Sequence, residues 1–84
     1  MVIAIASDLS GFPRKQEIVK HLKEKQYDIL DFGIDNADKP LPYFIQAPKV
    51  AKAIQENKAE KGILVCGTGQ GMAIVANKFK GVYA

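Results

Sequence analysis

Gly62-Ile63-Leu64-Val65-Cys66-Gly67-Thr68-Gly69-Gln70-Gly71-Met72 is the stretch that decides the fold. Ile63–Cys66 is a continuous apolar run, the mark of a strand buried on both faces. Gly67, Gly69 and Gly71 then make a glycine-rich loop. Beyond it Met72, Val75, Ala76 and Phe79 recur at the i, i+3, i+4, i+7 spacing, which predicts a helix that Gly81 ends. Strand, glycine loop and helix together form the repeating unit of a parallel α/β sheet.

The same unit recurs upstream. Val2-Ile3-Ala4-Ile5-Ala6 reads as a buried strand, and Ser7–Pro13 as the loop after it. Pro13 suits the first turn of a helix, where its missing N–H costs nothing. Ile18, Val19 and Leu22 share one face of that helix, of about 13 residues, while Lys15, Lys20, Lys23, Glu24 and Lys25 cover the other. Tyr27–Phe32 reads as a second strand closed by Gly33, and Asp35–Pro40 as a polar turn. Pro42 and Pro48 disfavour helix across Leu41–Gln46. The second helix is therefore expected from about Ala47, with Ala47, Val50, Ala51 and Ile54 inward. Val82-Tyr83-Ala84 reads as the opening of a fourth strand. The order β-α-β-α-β-α-β implies one α/β domain over residues 1–84, with a parallel sheet and helices on both faces. Ligands bind such sheets at the carboxyl ends of strands, beside the point where strand order reverses. That rule selects two loops, Ser7–Pro13 and Cys66–Gly71.

Composition removes several classes of function. The chain has 84 residues, 48% hydrophobic and 25% charged, which suits a folded protein rather than a disordered segment. No apolar run approaches the roughly 20 residues of a membrane span. Met1–Ala6 lacks a basic leader and is not expected to be a signal peptide. A single Cys excludes an internal disulfide and a Cys-based zinc site, and it suits a reducing cytoplasm. Twelve basic residues against nine acidic give +3, too mild and too evenly spread for nucleic acid; eleven are Lys and one is Arg14.

Three glycines beside a helix start expose backbone N–H groups that suit a phosphate or a developing oxyanion. Cys66 ends its strand within that positive field, a setting that favours the thiolate. Each residue also has a plainer role when read alone. The glycine turn can be a tight connection, and Cys66 an inert small hydrophobe. Asp8 can face the same edge as Cys66 or cap the following helix. Thr68 can offer its hydroxyl or cap a helix, and Tyr43 can pack beneath its loop. His21, the only histidine, reads as a surface residue, which leaves no Ser-His-Asp triad and no His-based metal site within the chain. A P-loop is excluded by the absence of Gly-Lys-Ser/Thr.

Ile3-Ala4-Ile5-Ala6-Ser7-Asp8, Gly11-Phe12, the run Gly62–Met72, Ala76-Asn77-Lys78 and Gly81-Val82 resemble the type B ribose-5-phosphate isomerase family, which includes the two galactose-6-phosphate isomerase subunits. The correspondence spans the whole chain. It implies a three-layer Rossmann-like fold with a parallel sheet, truncated here at the fourth strand. It also implies interconversion of aldose and ketose phosphates of the ribose 5-phosphate or galactose/allose 6-phosphate type. No metal or cofactor is implied. The implied assembly is a homodimer or homotetramer, with a hetero-oligomer of paralogous subunits as an alternative. Carried over by position, Cys66 is the proton-transfer base, with Thr68 and Asp8 as catalytic partners that touch sugar hydroxyls and help open the ring. Asp8, Leu9, Tyr43, Gly67, Gly69, Gln70 and Gly71 are the substrate-binding positions, and the backbone of Gly67–Gly71 would hold the enediolate oxygen.

The departures from the family pattern are specific. Leu9 stands where members commonly carry His. Ala73 replaces a small hydroxyl residue, and Ile45 and Pro48 replace acidic ones. Family chains run to nearly twice this length, and the further half supplies a catalytic histidine and the arginines that grip phosphate. These departures motivate an alternative, a non-catalytic or partner-dependent subunit that binds a phosphorylated ligand or a sister chain.

Overall fold

Among the described residues, Val2–Ser7 forms β1, the centre of a three-stranded parallel sheet of order β2-β1-β3. The computed structural model describes residues 1–8, 10–32, 43–67 and 70–84, apart from the side chains of Tyr43 and Gln70. The other elements are α1 (Phe12–Glu24), β2 (Asp28–Asp31), α2 (Tyr43–Gln55), β3 (Lys61–Val65) and α3 (Gln70–Ala76). β1 pairs Val2 with Asp28 through Ile5 with Asp31 on one side, and Ile3 with Lys61 through Ser7 with Val65 on the other.

Both crossovers start from β1 or pass over it in opposite directions, so right-handedness places α1 on one face and α2 on the other. α3 packs against α2 and β3 on that second face. The small side chains of Ala4 and Ala6 admit α2 closely, and they form the core with Val50, Ala53 and Ala59. Strand alternation leaves Ile3 and Ile5, equally buried, for the α1 face. Gly62 serves the same close approach, since a Cβ there would stand 2.5 Å from Val50 Cγ1.

Several sequence expectations need correction. α2 begins at Tyr43 rather than near Ala47 and holds Pro48 in its interior. The proline forfeits the bond to the carbonyl of Phe44, on an exposed turn, while Ala47, Val50, Ala51 and Ala53 are buried and hold the helix to the sheet. α3 stops at Ala76, so Phe79 lies beyond it in a turn where its N–H bonds the Ala76 carbonyl. Val82–Ala84 is not a strand. Gly81 turns the chain at φ 81°, and the Asn77 side chain takes the Ala84 N–H at 2.8 Å. β3 ends at Val65, one residue before Cys66, and Ser7 belongs to β1 rather than to the loop after it.

The largest revision concerns Lys15, expected on the solvated face and found fully buried. Its ammonium donates to both carboxylate oxygens of Asp31 at 2.9 and 3.1 Å and stands 5.4 Å from the centroid of the Phe12 ring. This pair ties the first turn of α1 to the end of β2. A buried pair costs desolvation in forming, but removing one partner costs about 3–5 kcal/mol. Asp31→Ala should therefore lower unfolding free energy by an amount in the low part of that range, because the Asp31 side chain keeps 31% exposure. The double variant Lys15→Met/Asp31→Ala should recover part of the loss. Urea denaturation of the four proteins measures the coupling, and strictly additive losses would show that the pair does not act as a unit.

Candidate active site

In a sheet of order β2-β1-β3, connections leave β1 and β3 toward opposite sides, so their carboxyl ends flank a crevice. Ser7 lies at one lip and Val65 at the other, paired in register. The Asp8 N–H donates to the Val65 carbonyl at 3.2 Å, carrying the sheet contact one residue past the end of β1. Asp8 Oδ1 then accepts the Gly11 N–H at 2.9 Å. The carboxylate thus folds its own loop back and does not reach past Gly11 to a helical N–H that the structure describes. That bond favours a loop-organising role for Asp8 over the simple helix cap considered from sequence.

Gly11 is buried and is the residue that lets the two loops meet. A Cβ at this position would collide with the Val65 carbonyl oxygen and stand 2.6 Å from its carbonyl carbon. Its φ of −89° is open to any residue, so the requirement is space rather than backbone freedom. Across the crevice a Cβ on Gly67 would lie 3.8 Å from Ser10 Cβ, an ordinary contact distance. Cys66, a half-buried cysteine outside any disulfide, sits between Val65 and Gly67 at the same edge. The first residues of α2 and α3 also open on this edge, since each helix follows the carboxyl end of a strand.

The structure therefore brings together Asp8, Cys66 and Gly67 of the expected set, with Gly71 half-buried in α3. Tyr43 opens α2 and Gln70 opens α3, by backbone. Leu9, Thr68 and Gly69 lie outside the described residues. His21 is exposed on α1, as expected. Sequence reading missed the close approach of Gly11 and the buried Gln46, whose Nε2 donates to the Ser7 carbonyl at 2.9 Å. A signal for Gln46 existed: it lies four residues before Val50, on the apolar stripe of α2. Lys15 carried a similar one, seven residues before Leu22 on the stripe of α1.

Residues 3–84 match the family model described as Ribose/Galactose Isomerase, and the chain belongs to that family. Over its full length it is 50% identical to a protein of Clostridium sp. (strain MSTE9) named 4-deoxy-4-sulfo-D-erythrose isomerase, covering 53% of it. Ribose-5-phosphate isomerase B of Clostridium thermocellum superposes with a TM-score of 0.91 at 40% identity, over 96% of this chain and 54% of that one. The Mycoplasma genitalium enzyme with bound ribulose-5-phosphate gives 0.88 at 43% identity, over 96% and 54%. The chain thus spans about half the length of the relatives it matches. Among the described residues, no helix is long and apolar enough to cross a membrane.

Gly11→Ala should push the β1–α1 loop off β3. Overpacking of this kind costs about 1–3 kcal/mol, and each kcal/mol lowers Tm by about 4–8 °C in a domain of this size. Thermal unfolding checks the loss. An unchanged Tm would show that the loops part without cost.

Proposed function

We propose that this chain carries the proton-transfer portion of an aldose–ketose isomerase site, with Cys66 as the base. The observation that carries the reading is the bond from the Asp8 N–H to the carbonyl of Val65, the residue before Cys66, at the β1/β3 juncture where Gly11 packs against that same carbonyl. Membership of the ribose/galactose isomerase family supplies the reaction class.

In the open-chain aldose the C2 proton is acidified by the neighbouring C1 carbonyl. The Cys66 thiolate takes that proton, the C–H electron pair forms the C1–C2 double bond, and the carbonyl pair moves to oxygen, giving an enediolate. The thiol returns the proton to C1, and a proton passing from the C2 hydroxyl to O1 completes the ketose. Backbone N–H groups along Gly67–Gly71 stabilise the charged oxygen, which needs donors fixed before charge develops. Asp8 and Thr68 engage sugar hydroxyls and assist ring opening, and Tyr43 lines the pocket. Leu9, Gly69, Gln70 and Gly71 complete the substrate contacts of this reading.

The substrate class is an aldose with an anionic terminus. The relatives' names pair a tetrose carrying a sulfo group with ribose 5-phosphate, and in open-chain form both have an aldehyde at one end and a tetrahedral anion at the other. The pentose and hexose phosphates expected from sequence fall within that class. Leu9, in place of a common histidine, points away from a strict ribose 5-phosphate enzyme. A homodimer or homotetramer in a reducing cytoplasm belongs to the same reading. The relatives' names are those of enzymes, which weighs against the non-catalytic subunit.

Positioned general bases contribute about 10²–10⁴-fold. With the protein as its gene encodes it, Cys66→Ala should cut deuterium incorporation at substrate C2 in D₂O by at least that range. Its far-UV circular dichroism should match wild type. Proton NMR reads the exchange, and undiminished exchange in the variant rules out Cys66 as the base.

A further inference from the structure

Among the described residues, two buried side-chain polar atoms have no hydrogen-bond partner, Ser7 Oγ and Gln46 Oε1. Both residues are completely buried, Ser7 as the last residue of β1 and Gln46 in α2, and they meet at the carboxyl end of β1. Gln46 Nε2 donates to the Ser7 carbonyl at 2.9 Å. That carbonyl can only accept, so the orientation of the amide is fixed and Oε1 is the atom left over. A buried acceptor without a donor works against stability, and a methionine or leucine at this place on the α2 stripe would avoid it. Packing therefore does not account for glutamine at position 46.

The bond falls on a particular peptide. The Ser7 carbonyl and the Asp8 N–H belong to one planar unit. Its oxygen is held by Gln46 from α2, and its N–H is held by the Val65 carbonyl from β3 at 3.2 Å. A plane anchored at both ends fixes the direction in which the chain leaves β1. It thereby fixes the starting point of the Asp8 side chain, which the Gly11 N–H steadies at 2.9 Å. Each anchor comes from a different element, so the Asp8 loop is referenced to the helix layer as well as to the sheet.

We infer that Gln46 is a positioning residue of the isomerase site: it clamps the Ser7–Asp8 peptide so that Asp8 is presented to the substrate in one orientation. The inference rests on the reading of Asp8 as a site residue. A carboxylate that engages substrate must be held within a fraction of an ångström, and a helix is a firmer support than a loop. Gln46 touches no reacting atom in this account. It acts through the backbone.

The test combines amide hydrogen exchange with steady-state kinetics on the protein as its gene encodes it. In the wild type, the side-chain amide protons of Gln46 should exchange at least tenfold more slowly than those of a free glutamine; unprotected protons overturn the clamp without any variant. Gln46→Met should speed exchange of the Asp8 and Gly11 amides at least tenfold, leaving α1 and β2 unchanged. It should lower kcat at least tenfold, with KM within about twofold and Tm within a few degrees. Unchanged kcat in an active protein overturns the inference. A fall in kcat accompanied by faster exchange across the whole sheet also overturns it, because that is what a merely structural role produces. An inactive wild type contradicts the isomerase reading instead, while the exchange data still decide whether the clamp exists.

Discussion

Gly11 lies so close to the carbonyl of Val65 that no side chain fits between them, and the candidate site depends on that approach. β1 and β3 are neighbours through the sheet, but their loops diverge toward helices on opposite faces. Without a point of contact above the last ladder bond, Asp8 and Cys66 would drift apart on separate loops. The glycine removes the obstacle, the Asp8 N–H extends the pairing to Val65, and the Asp8 carboxylate closes the turn onto the Gly11 N–H. Three short contacts within four residues turn a topological crevice into a fixed geometry.

The buried polar groups follow the same direction along the sheet. The apolar core lies around Ala4, Ala6, Val50 and Ala53. Toward the carboxyl edge, each strand end is tied by a polar anchor: β1 by Gln46, β2 by Lys15 on Asp31, and β3 by the Asp8 loop. Polar anchors are directional where apolar packing is not, so they fix orientation as well as proximity. They add less net stability than hydrocarbon of the same volume. A site of the proposed kind benefits from that exchange, because preformed donors stabilise developing charge only if they do not have to move.

The strand–loop–helix units, the parallel sheet and the two loops at the reversal point were legible because apolar runs and helical spacing record burial directly. Ile63–Val65 and Val2–Ala6 carry that record in every residue. Asp8, Cys66 and Gly67 could be placed at one edge from topology alone. What escaped was decided by tertiary contact. Pro48 argues locally against a helix that four buried side chains hold in place. Lys15 looks like a surface lysine until Asp31, sixteen residues away, is brought beside it. Gly11 reads as a loop residue, and only the position of Val65 shows why it has no side chain. Val82–Ala84 has the composition of a strand, yet the Asn77 side chain takes the Ala84 N–H that a strand would pair.

The most direct test of the central claim, that the anionic sugar binds at the β1/β3 juncture against Cys66, is protection of that thiol from alkylation. Cys66 is the only cysteine in the chain, so its peptide reports on the site alone when followed by mass spectrometry. The account predicts that ribose 5-phosphate or a sulfo-tetrose slows iodoacetamide labelling of Cys66 in a saturable way, while neutral ribose at the same concentration does not. Labelling at an unchanged rate under every anionic aldose would contradict it and place the substrate elsewhere.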